Sequence, residues 1–467
     1  MQLHLKNIGP IDAIDINVDS DLTFIYGENN IGKSYAITIL YLILKNFAFD
    51  SPYAGRYTHG FFPRNRFEDN TIIKDIKSNL EINNDFDITE NITQYFSDLL
   101  TAVFLPRFEN SLRNSFGDVS NLNNKISNAH FNLCMEFEEY NICITEKNNK
   151  LFIMYDGKGI SYTCRKVRQH RYPKPENDYV IFYYLEESRF LEDVQSYFYD
   201  LYKKSVLSIL SKINNVYYLP ASRSGLYRAL NAFSQILVEL AKKRTFLTEK
   251  IILPSISEQD SDYFSKINEI NVRRISHKYG SIVEGIENKL LNGKVSFDQA
   301  TKQILFHPNN IDINLELLGT SSMIAEVSPI VIYLRYIIGP DEEIRKKKDN
   351  ESVPIIFIEE PEAHLHPKAQ LILMECFVDL VKMGAKLVIT SHSNFMFHKF
   401  NNLIAEKEID KQIINGILFF QGKNGSCSKN IPISNIGMED DNFVQVAEDL
   451  YNEKIKIIEK MEQEDAK

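Results

Sequence analysis

The chain has 467 residues, of which 44% are hydrophobic and 25% charged, so it has the composition of a globular protein and is too long for one ordinary core. Its formal net charge of −10 argues against a protein that coats nucleic acid with its whole surface, although a local basic track is compatible with it. The five cysteines form no C-x-x-C pair, so we expect reduced thiols and neither a zinc knuckle nor a disulfide framework.

The N-terminus lacks the pattern of a signal peptide, and no apolar run is long enough to span a membrane. We therefore expect a cytoplasmic protein with no membrane partner. The first 26 residues are predicted to form short strands and a turn, the last strand being the apolar run Leu22–Tyr26.

A glycine-rich turn follows this strand and matches the pattern G-x-x-x-x-G-K-[ST]. An apolar helix is predicted from Lys33 to about Phe47, so strand, turn and helix come in the order of a phosphate-binding loop. Lys33 is expected to bind the β and γ phosphates of ATP, and the Ser34 hydroxyl to ligate Mg²⁺. The predicted nucleotide-binding residues are Gly27, Glu28, Asn29, Asn30, Ile31, Gly32, Lys33 and Ser34.

The middle of the chain mixes strand and helix patterns. Alternating apolar residues from Phe131 to Met154 predict two or three antiparallel strands, and Asn214–Leu219 predicts another. Helical patterns cover about 88–114, 224–243 and 259–292, and none sustains the heptads of a long coiled coil. The segment 165–174 carries five cations in ten residues, which fits either a solvated loop or a contact with phosphates.

The last third contains a second half-site. The apolar strand Ile355–Ile358 carries Glu359 and Glu360 at its end, and after a helix comes a second apolar strand that ends near His392. Strand, helix and strand at this spacing indicate a parallel sheet, whose carboxyl edge gathers such side chains. Glu359 is suited to coordinating Mg²⁺, directly or through water, and Glu360 to polarising the attacking water.

Taken together, G-E-N-N-x-G-K-S, I-F-I-E-E-P-E-A-H-L-H-P and I-T-S-H-S resemble the ABC-type ATPase heads of RecF, SMC proteins and the OLD family. The similarity is greatest to AAA-family ATPases of bacterial phage-defence systems of the PARIS, Septu or retron-associated type. These motifs cover about residues 1–50 and 315–395. The resemblance implies an α/β P-loop NTPase head of ABC type with a mixed sheet, together with inserted antiparallel strands and a short helical arm.

Site roles follow from the same resemblance. It implies that Glu360 is the catalytic glutamate, that His392 is the switch histidine sensing the γ-phosphate, and that Ser321 clamps the γ-phosphate bound to a partner subunit. The D-loop, where neighbouring subunits meet, is expected at Glu362–His366. Glu359 stands where the family usually has aspartate.

Other positions match the family less closely. No glycine directly follows Ser322 in the signature segment, and Gln94 is a candidate for the Q-loop glutamine. Arg223 follows Pro220-Ala221-Ser222, which resembles a family motif, while a structural salt bridge is the alternative explanation. The predicted regions are 1–120 and 306–440 for the two halves of the head, 121–223 for a strand-rich lobe, 224–305 for a helical arm, and 441–467 for a C-terminal helix.

The resemblance implies a dimerising ATPase switch that needs ATP and Mg²⁺. Such a protein forms a homodimer or higher homo-oligomer and holds or releases an effector, a nuclease or toxin encoded alongside, in response to a nucleic-acid or phage-protein trigger. One alternative is a RecF- or SMC-like ATPase that binds DNA. A second is an OLD-like nuclease, which is disfavoured because the carboxylates Glu439, Asp440 and Asp441 do not form the separated set of a Toprim domain.

Overall fold

The structure is a computed structural model that describes residues 1–49, 78, 85–138, 140–159, 161–166, 174–176, 179–184, 213–229, 256–340, 353–439 and 443–465. The strands of this part are β1 (Gln2–Ile8), β2 (Ile11–Asn17), β3 (Leu22–Gly27), β4 (Asp85–Asp87), β5 (Asn132–Glu136), β6 (Tyr140–Lys147), β7 (Lys150–Gly157), β8 (Ser161–Lys166), β9 (Lys174–Glu176), β10 (Tyr179–Tyr184), β11 (Ile213–Leu219), β12 (Gly293–Asp298), β13 (Gln303–Pro308), β14 (Leu315–Glu316), β15 (Val353–Glu359), β16 (Lys386–Ser391), β17 (Ile414–Gln421), β18 (Ser426–Ile431), β19 (Ile433–Ser434) and β20 (Gly437–Met438). The α-helices are α1 (Lys33–Phe49), α2 (Thr89–Val103), α3 (Leu105–Phe116), α4 (Glu258–Asn268), α5 (Gly280–Gly285), α6 (Ser322–Ile332), α7 (Pro367–Lys382), α8 (Asn394–Ala405) and α9 (Phe443–Asp465). The π-helical segments Ile286–Leu291 and Tyr333–Ile338 continue α5 and α6.

One mixed sheet joins eleven of the described strands in the order β11-β15-β16-β3-β17-β18-β2-β1-β5-β6-β7. The pairs from β11 to β17 are parallel. Beyond β17 the pairs are antiparallel, except that β18 runs parallel to β2. Smaller sheets are formed by β4-β8-β10-β9, by β12-β13-β14 and by β19-β20. This confirms the predicted α/β class with a mixed sheet and additional antiparallel strands.

Hydrophobic residues cover both faces of the parallel part of the sheet. Along β15, Ile355 and Phe357 belong to a core shared with α1, α2 and α3, while Ile356 and Ile358 belong to a second core shared with α6, α7 and α8. All residues of β3 are buried. A strand covered on both faces needs a continuous apolar run, which is the pattern that predicted these strands from the sequence.

The topology brings three strand ends to one edge. β15, β16 and β3 are adjacent and parallel, with Glu359 paired to Thr390 and Ser391 paired to Tyr26. The turn after β3, the acidic pair at the end of β15 and the histidine after β16 therefore meet at the carboxyl edge of the sheet. Ligands of open α/β sheets bind at this edge.

The cysteines differ from expectation at one place. Cys134 on β5 and Cys143 on β6 are directly paired across the two strands, with their Cα atoms 4.1 Å apart, and form a disulfide. The prediction of reduced thiols is wrong for this pair, because the strand register that brings the two together is not visible in their spacing. Cys376 and Cys427 are free thiols.

The predicted C-terminal helix is present as α9. Among its described side chains, several large apolar ones are exposed, including Leu450, Tyr451 and Ile457. In the described part of the chain, no helix has the length and apolar character needed to cross a membrane.

Candidate active site

The turn between β3 and α1 depends on glycine. Gly27 has a φ of +140° and Gly32 a φ of +84°, values that side chains other than glycine rarely adopt. A Cβ atom on Gly27 would also lie 2.3 Å from the backbone oxygen of Phe419 on β17. The loop residue Asn30 is left-handed as well, at a φ of +61°, which asparagine tolerates. A tight turn of this kind that leads into a helix N-terminus can present N–H groups to phosphate oxygens.

Lys33 begins α1 and points back over the turn. Its Nζ donates to the backbone oxygens of Gly27, at 3.2 Å, and Glu28, at 2.5 Å, and lies 3.3 Å from Nδ1 of His392. The residue is only 5% exposed. Burial lowers the pKa of Lys33 to about 8, opposed by nearby carboxylates of which Glu360 has the largest effect. The backbone oxygens of the turn thus replace part of the water around the Lys33 ammonium group. The group is held at the point where an anionic ligand would bind.

Glu359 ends β15 and is buried beside the start of α1. Its Oε2 accepts a hydrogen bond from the Ala221 N–H at 3.4 Å. Burial raises the pKa of Glu359 to about 7, against hydrogen bonds from the hydroxyls of Ser34 and Tyr218 that lower it. Tyr218 was not singled out from the sequence; its hydroxyl lies 3.2 Å from Thr38 Oγ1, inside the sheet–helix interface.

The predicted magnesium ligands fit that ion. Glu359 Oε1 is buried and has no hydrogen-bond partner among the described residues, so a buried carboxylate oxygen is left for another ligand. Ser34, the other predicted ligand, supplies a hydroxyl oxygen next to it. In the described part of the chain, no group of three or more His, Cys, Asp or Glu side chains could hold a metal alone. Mg²⁺ commonly takes one or two protein oxygens and completes its shell with phosphate and water.

Glu360 lies directly after β15 in a special backbone conformation. Its φ is +40°, and its N–H donates to the backbone oxygen of Thr390 at 3.0 Å. Oε1 lies 3.6 Å from Nε2 of His392. The interaction with His392 lowers the pKa of Glu360, and Lys33 adds to this effect. The carboxylate therefore stays ionised at neutral pH, as a group that orients or polarises water must.

Hydrogen bonds to Glu362 hold the segment that carries His392 in place. Glu362 Oε1 accepts hydrogen bonds from the His392 N–H at 2.6 Å and from Ser391 Oγ at 2.9 Å. Burial raises the pKa of Glu362. The sequence placed Glu362 in the D-loop but did not indicate this contact, because it joins the segments at the ends of two different strands, β15 and β16. Lys33, Glu360 and Glu362 are therefore all connected to His392, and the four residues form one cluster.

Ser321 is positioned differently from the other predicted residues. It is exposed and caps the N-terminus of α6, where its Oγ accepts from the Ile324 N–H at 3.5 Å. A capped helix N-terminus of this kind suits an anion. Five residues further along α6, the buried Glu326 contacts Arg223, whose guanidinium also binds the backbone oxygens of Glu359 and Glu360.

Gln94 lies away from the cluster, and the other candidates fall mostly outside the described residues. Gln94 is on the exposed side of α2, where its amide donates to Asp98 at 2.8 Å. Most of the basic segment 165–174 lies outside the described residues, as do Asp440 and Asp441.

A glycine-rich turn, an acidic strand end and a histidine on adjacent parallel strands define the class of P-loop NTPases. The chain belongs to the AAA ATPase domain family, whose model matches residues 1–397. No curated protein matches the chain.

Several solved SMC heads are similar to the chain at low identity. An SMC head bound to the C-winged helix domain of ScpA has 11% identity and a TM-score of 0.39, over 93% of this chain and 97% of that one. The SMC head domain from Thermotoga maritima has 10% identity and a TM-score of 0.34, over 92% and 98%. An Smc head domain with an extended coiled coil, bound to the C-terminal domain of ScpA derived from Pyrococcus furiosus, has 12% identity and a TM-score of 0.37, over 99% and 98%.

Proposed function

We propose that this ATPase-family protein is a dimerising switch that hydrolyses ATP between two copies of its head. The observation that carries the proposal is the cluster at the sheet edge, in which His392 lies 3.3 Å from Lys33 Nζ and 3.6 Å from Glu360 Oε1. A cation for the phosphates and a residue that orients the attacking water are parts that phosphoryl transfer to water uses.

In this proposal each side chain has a separate task. The turn at 27–34 and Lys33 bind the phosphates, and Glu360 orients the water that attacks the γ-phosphate. His392 bridges the phosphate side and the water side of the site, so it senses whether the γ-phosphate is present. Mg²⁺, held by Ser34 and Glu359, would neutralise charge on the phosphate oxygens.

The N-terminus of α6 supplies the second half of the site. Ser321 is exposed, as a residue that binds the nucleotide of a partner subunit must be. ATP binding then closes two heads on each other, and hydrolysis opens them. A homodimer is the minimum assembly that completes such a site, because each loop needs an α6 from the other copy.

The test is trapping by Glu360→Gln, which keeps the shape of the side chain and removes the base. With Mg·ATP we expect a stable dimer in size-exclusion chromatography and a fall in kcat of about 10²–10⁴-fold. Glu375→Gln, on the half-exposed surface of α7, is the matched control and should behave as the unmodified protein. Normal turnover by the Glu360→Gln protein would remove the catalytic assignment.

The biological output that we propose is anti-phage defence, in which the switch holds or releases an effector encoded alongside. This proposal is supported by the resemblance of the combined motifs to defence ATPases. It is tested by co-purification with the products of neighbouring genes, with and without ATP. An effector that leaves the complex when ATP is hydrolysed, but stays bound to the Glu360→Gln variant, is the expected result. Absence of any partner whose retention depends on nucleotide contradicts it.

A RecF- or SMC-like role on DNA is the alternative, and the same head chemistry supports it. It predicts that duplex DNA raises the ATPase rate and that DNA binding weakens steeply with salt. An ATPase rate that does not respond to DNA at low salt favours the defence switch.

A further inference from the structure

Arg223 joins three separate segments of the chain inside the head. The residue is fully buried. Its Nη1 donates to the backbone oxygens of Pro220, at 3.0 Å, and Glu359, at 2.9 Å, and its Nη2 lies 3.4 Å from the backbone oxygen of Glu360. Its Nε donates to the backbone oxygen of Glu326 at 3.1 Å. A rigid planar fork that binds several acceptors fixes their relative positions, which a lysine ammonium does less well.

The contact on α6 is reinforced by a second residue. The Glu326 carboxylate lies 3.5 Å from Arg223 Nε and accepts from Ser224 Oγ at 2.6 Å and from Ser224 N–H at 3.3 Å. Glu326 is 1% exposed, and the part of α6 from Ala325 to Ile332 is buried. Because α6 is a helix that begins at the Ser321 cap, a displacement of its N-terminus is carried to Glu326.

The other end of the link is the backbone of the acidic pair. Glu360 is left-handed at a φ of +40°, a conformation that persists only where the surroundings hold it. Arg223 binds the oxygens on both sides of the peptide nitrogen of Glu360, that is, of Glu359 and of Glu360 itself. The orientation of the Glu360 side chain therefore depends on where Arg223 sits.

We propose that Arg223 is a positioning residue that couples the docking of α6 on the partner's nucleotide to the placement of Glu360 for hydrolysis. This inference rests on the proposed ATP-sandwich function. It adds how the contact of α6 with the nucleotide bound to the partner reaches the water-activating carboxylate of Glu360 in the same chain. Hydrolysis in one head then responds to the contact that its own α6 makes with the second nucleotide.

A double-mutant cycle between Arg223 and Ser321 tests this coupling. Arg223→Lys keeps the charge and loses part of the fork, so kcat is expected to fall about tenfold while the affinity for Mg·ATP changes less than twofold. Ser321→Ala is expected to lower kcat in the unmodified protein but to have little further effect in the Arg223→Lys background. Effects of the two substitutions that multiply would overturn the proposal and leave Arg223 as a structural residue.

Two further variants provide a second test of the coupling and a control. Ser224→Ala removes only the hydroxyl that fixes Glu326, so it should reduce the sensitivity of kcat to Ser321→Ala even if Arg223→Lys fails to fold. Arg335→Lys is the matched control, because Arg335 pairs with Glu287 at 2.8 Å on the π-helical continuation of α6 and contacts none of the acidic pair in the described residues. Its effect should multiply with that of Ser321→Ala. If Ser321→Ala leaves kcat unchanged in the unmodified protein, the ATP-sandwich itself fails, which is distinct from failure of the coupling.

Discussion

The two halves of the proposed composite site differ in whether contacts within a single chain hold their side chains in place. His392 lies 3.3 Å from Lys33 Nζ and 3.6 Å from Glu360 Oε1, and Glu362 accepts a hydrogen bond from the backbone N–H of His392. Ser321, by contrast, is exposed at a helix end and accepts one long hydrogen bond from its own helix. A single copy thus holds the groups for binding and chemistry in place, while its α6 N-terminus is presented outward. In the proposed function, this difference makes dimerisation a control point for ATP hydrolysis.

Removing the cation of the preformed half is expected to have the largest effect. Lys33→Ala should weaken Mg·ATP binding by about tenfold to a hundredfold, because hydrogen bonds to charged groups contribute about 1.5–3 kcal/mol each. Fluorescence titration with a labelled ATP measures this directly. Lys6→Ala, on an exposed position of β1, is the control and should bind as the unmodified protein does. Equal affinity of the Lys33→Ala variant would show that the turn is not the phosphate site.

Removing the bridging histidine should affect the rate more than the binding. His392→Ala takes away the group between Lys33 and Glu360, so kcat is expected to fall about 10–100-fold with a KM changed by less than about threefold. Steady-state ATPase kinetics give both values, with the exposed His398→Ala on α8 as the control. A change confined to KM would make His392 a binding residue and not a sensor.

The outward-facing half can be tested by mixing two defective proteins. Ser321→Ala is expected to lower kcat about tenfold, and Glu360→Gln to lower it by about 10²–10⁴-fold. In a dimer that contains one copy of each, one of the two composite sites has an intact Glu360 and an intact partner Ser321. If equal amounts of the two proteins exchange at random in a symmetric dimer, about a quarter of all sites combine an intact Glu360 with an intact Ser321 of the partner, and the mixture should be more active than the sum of its parts. The copy with the intact Glu360 carries Ser321→Ala on its own α6, so the coupling through Arg223 should keep these sites below full activity. A mixture no more active than the sum of its parts contradicts a contribution of Ser321 in trans.

Local patterns of the sequence were sufficient to predict the strands, the turn and the helices that carry the preformed half. The apolar runs before Gly27 and Glu359 predicted β3 and β15, and both strands are present with the expected helices after them. These elements follow from residues that are neighbours in the chain, because a strand buried on both faces and a glycine-lysine turn are each encoded within a few positions.

Contacts between distant segments could not be predicted in the same way. The pairing of β5 with β1, the link from Arg223 to Glu326 and the role of Tyr218 each depend on which segments meet in space. One signal was available: Glu326 is a lone carboxylate in the apolar stretch 323–334, and such a group needs a buried partner. The division of the chain into five regions and the roles of the predicted site residues, including Glu360, His392 and Ser321, stay predictions.

The smallest predicted effect concerns the free energy of unfolding that is lost because Lys33 is buried as a cation at the phosphate site. Its pKa is lowered to about 8 in the folded chain by burial, while an unfolded lysine has about 10.4. Between these pH values the unfolded state binds more protons, so the free energy of unfolding of the nucleotide-free protein should rise with pH, by about 1–3 kcal/mol in total from this residue. The difference between the unmodified protein and Lys33→Met, followed by urea unfolding from pH 7 to pH 10, isolates that contribution. Mg·ATP should abolish the rise, because bound phosphate raises the pKa of Lys33 again. A difference between the two proteins that does not change with pH would mean that the neighbouring carboxylates already hold the pKa of Lys33 at its unfolded value in the nucleotide-free protein.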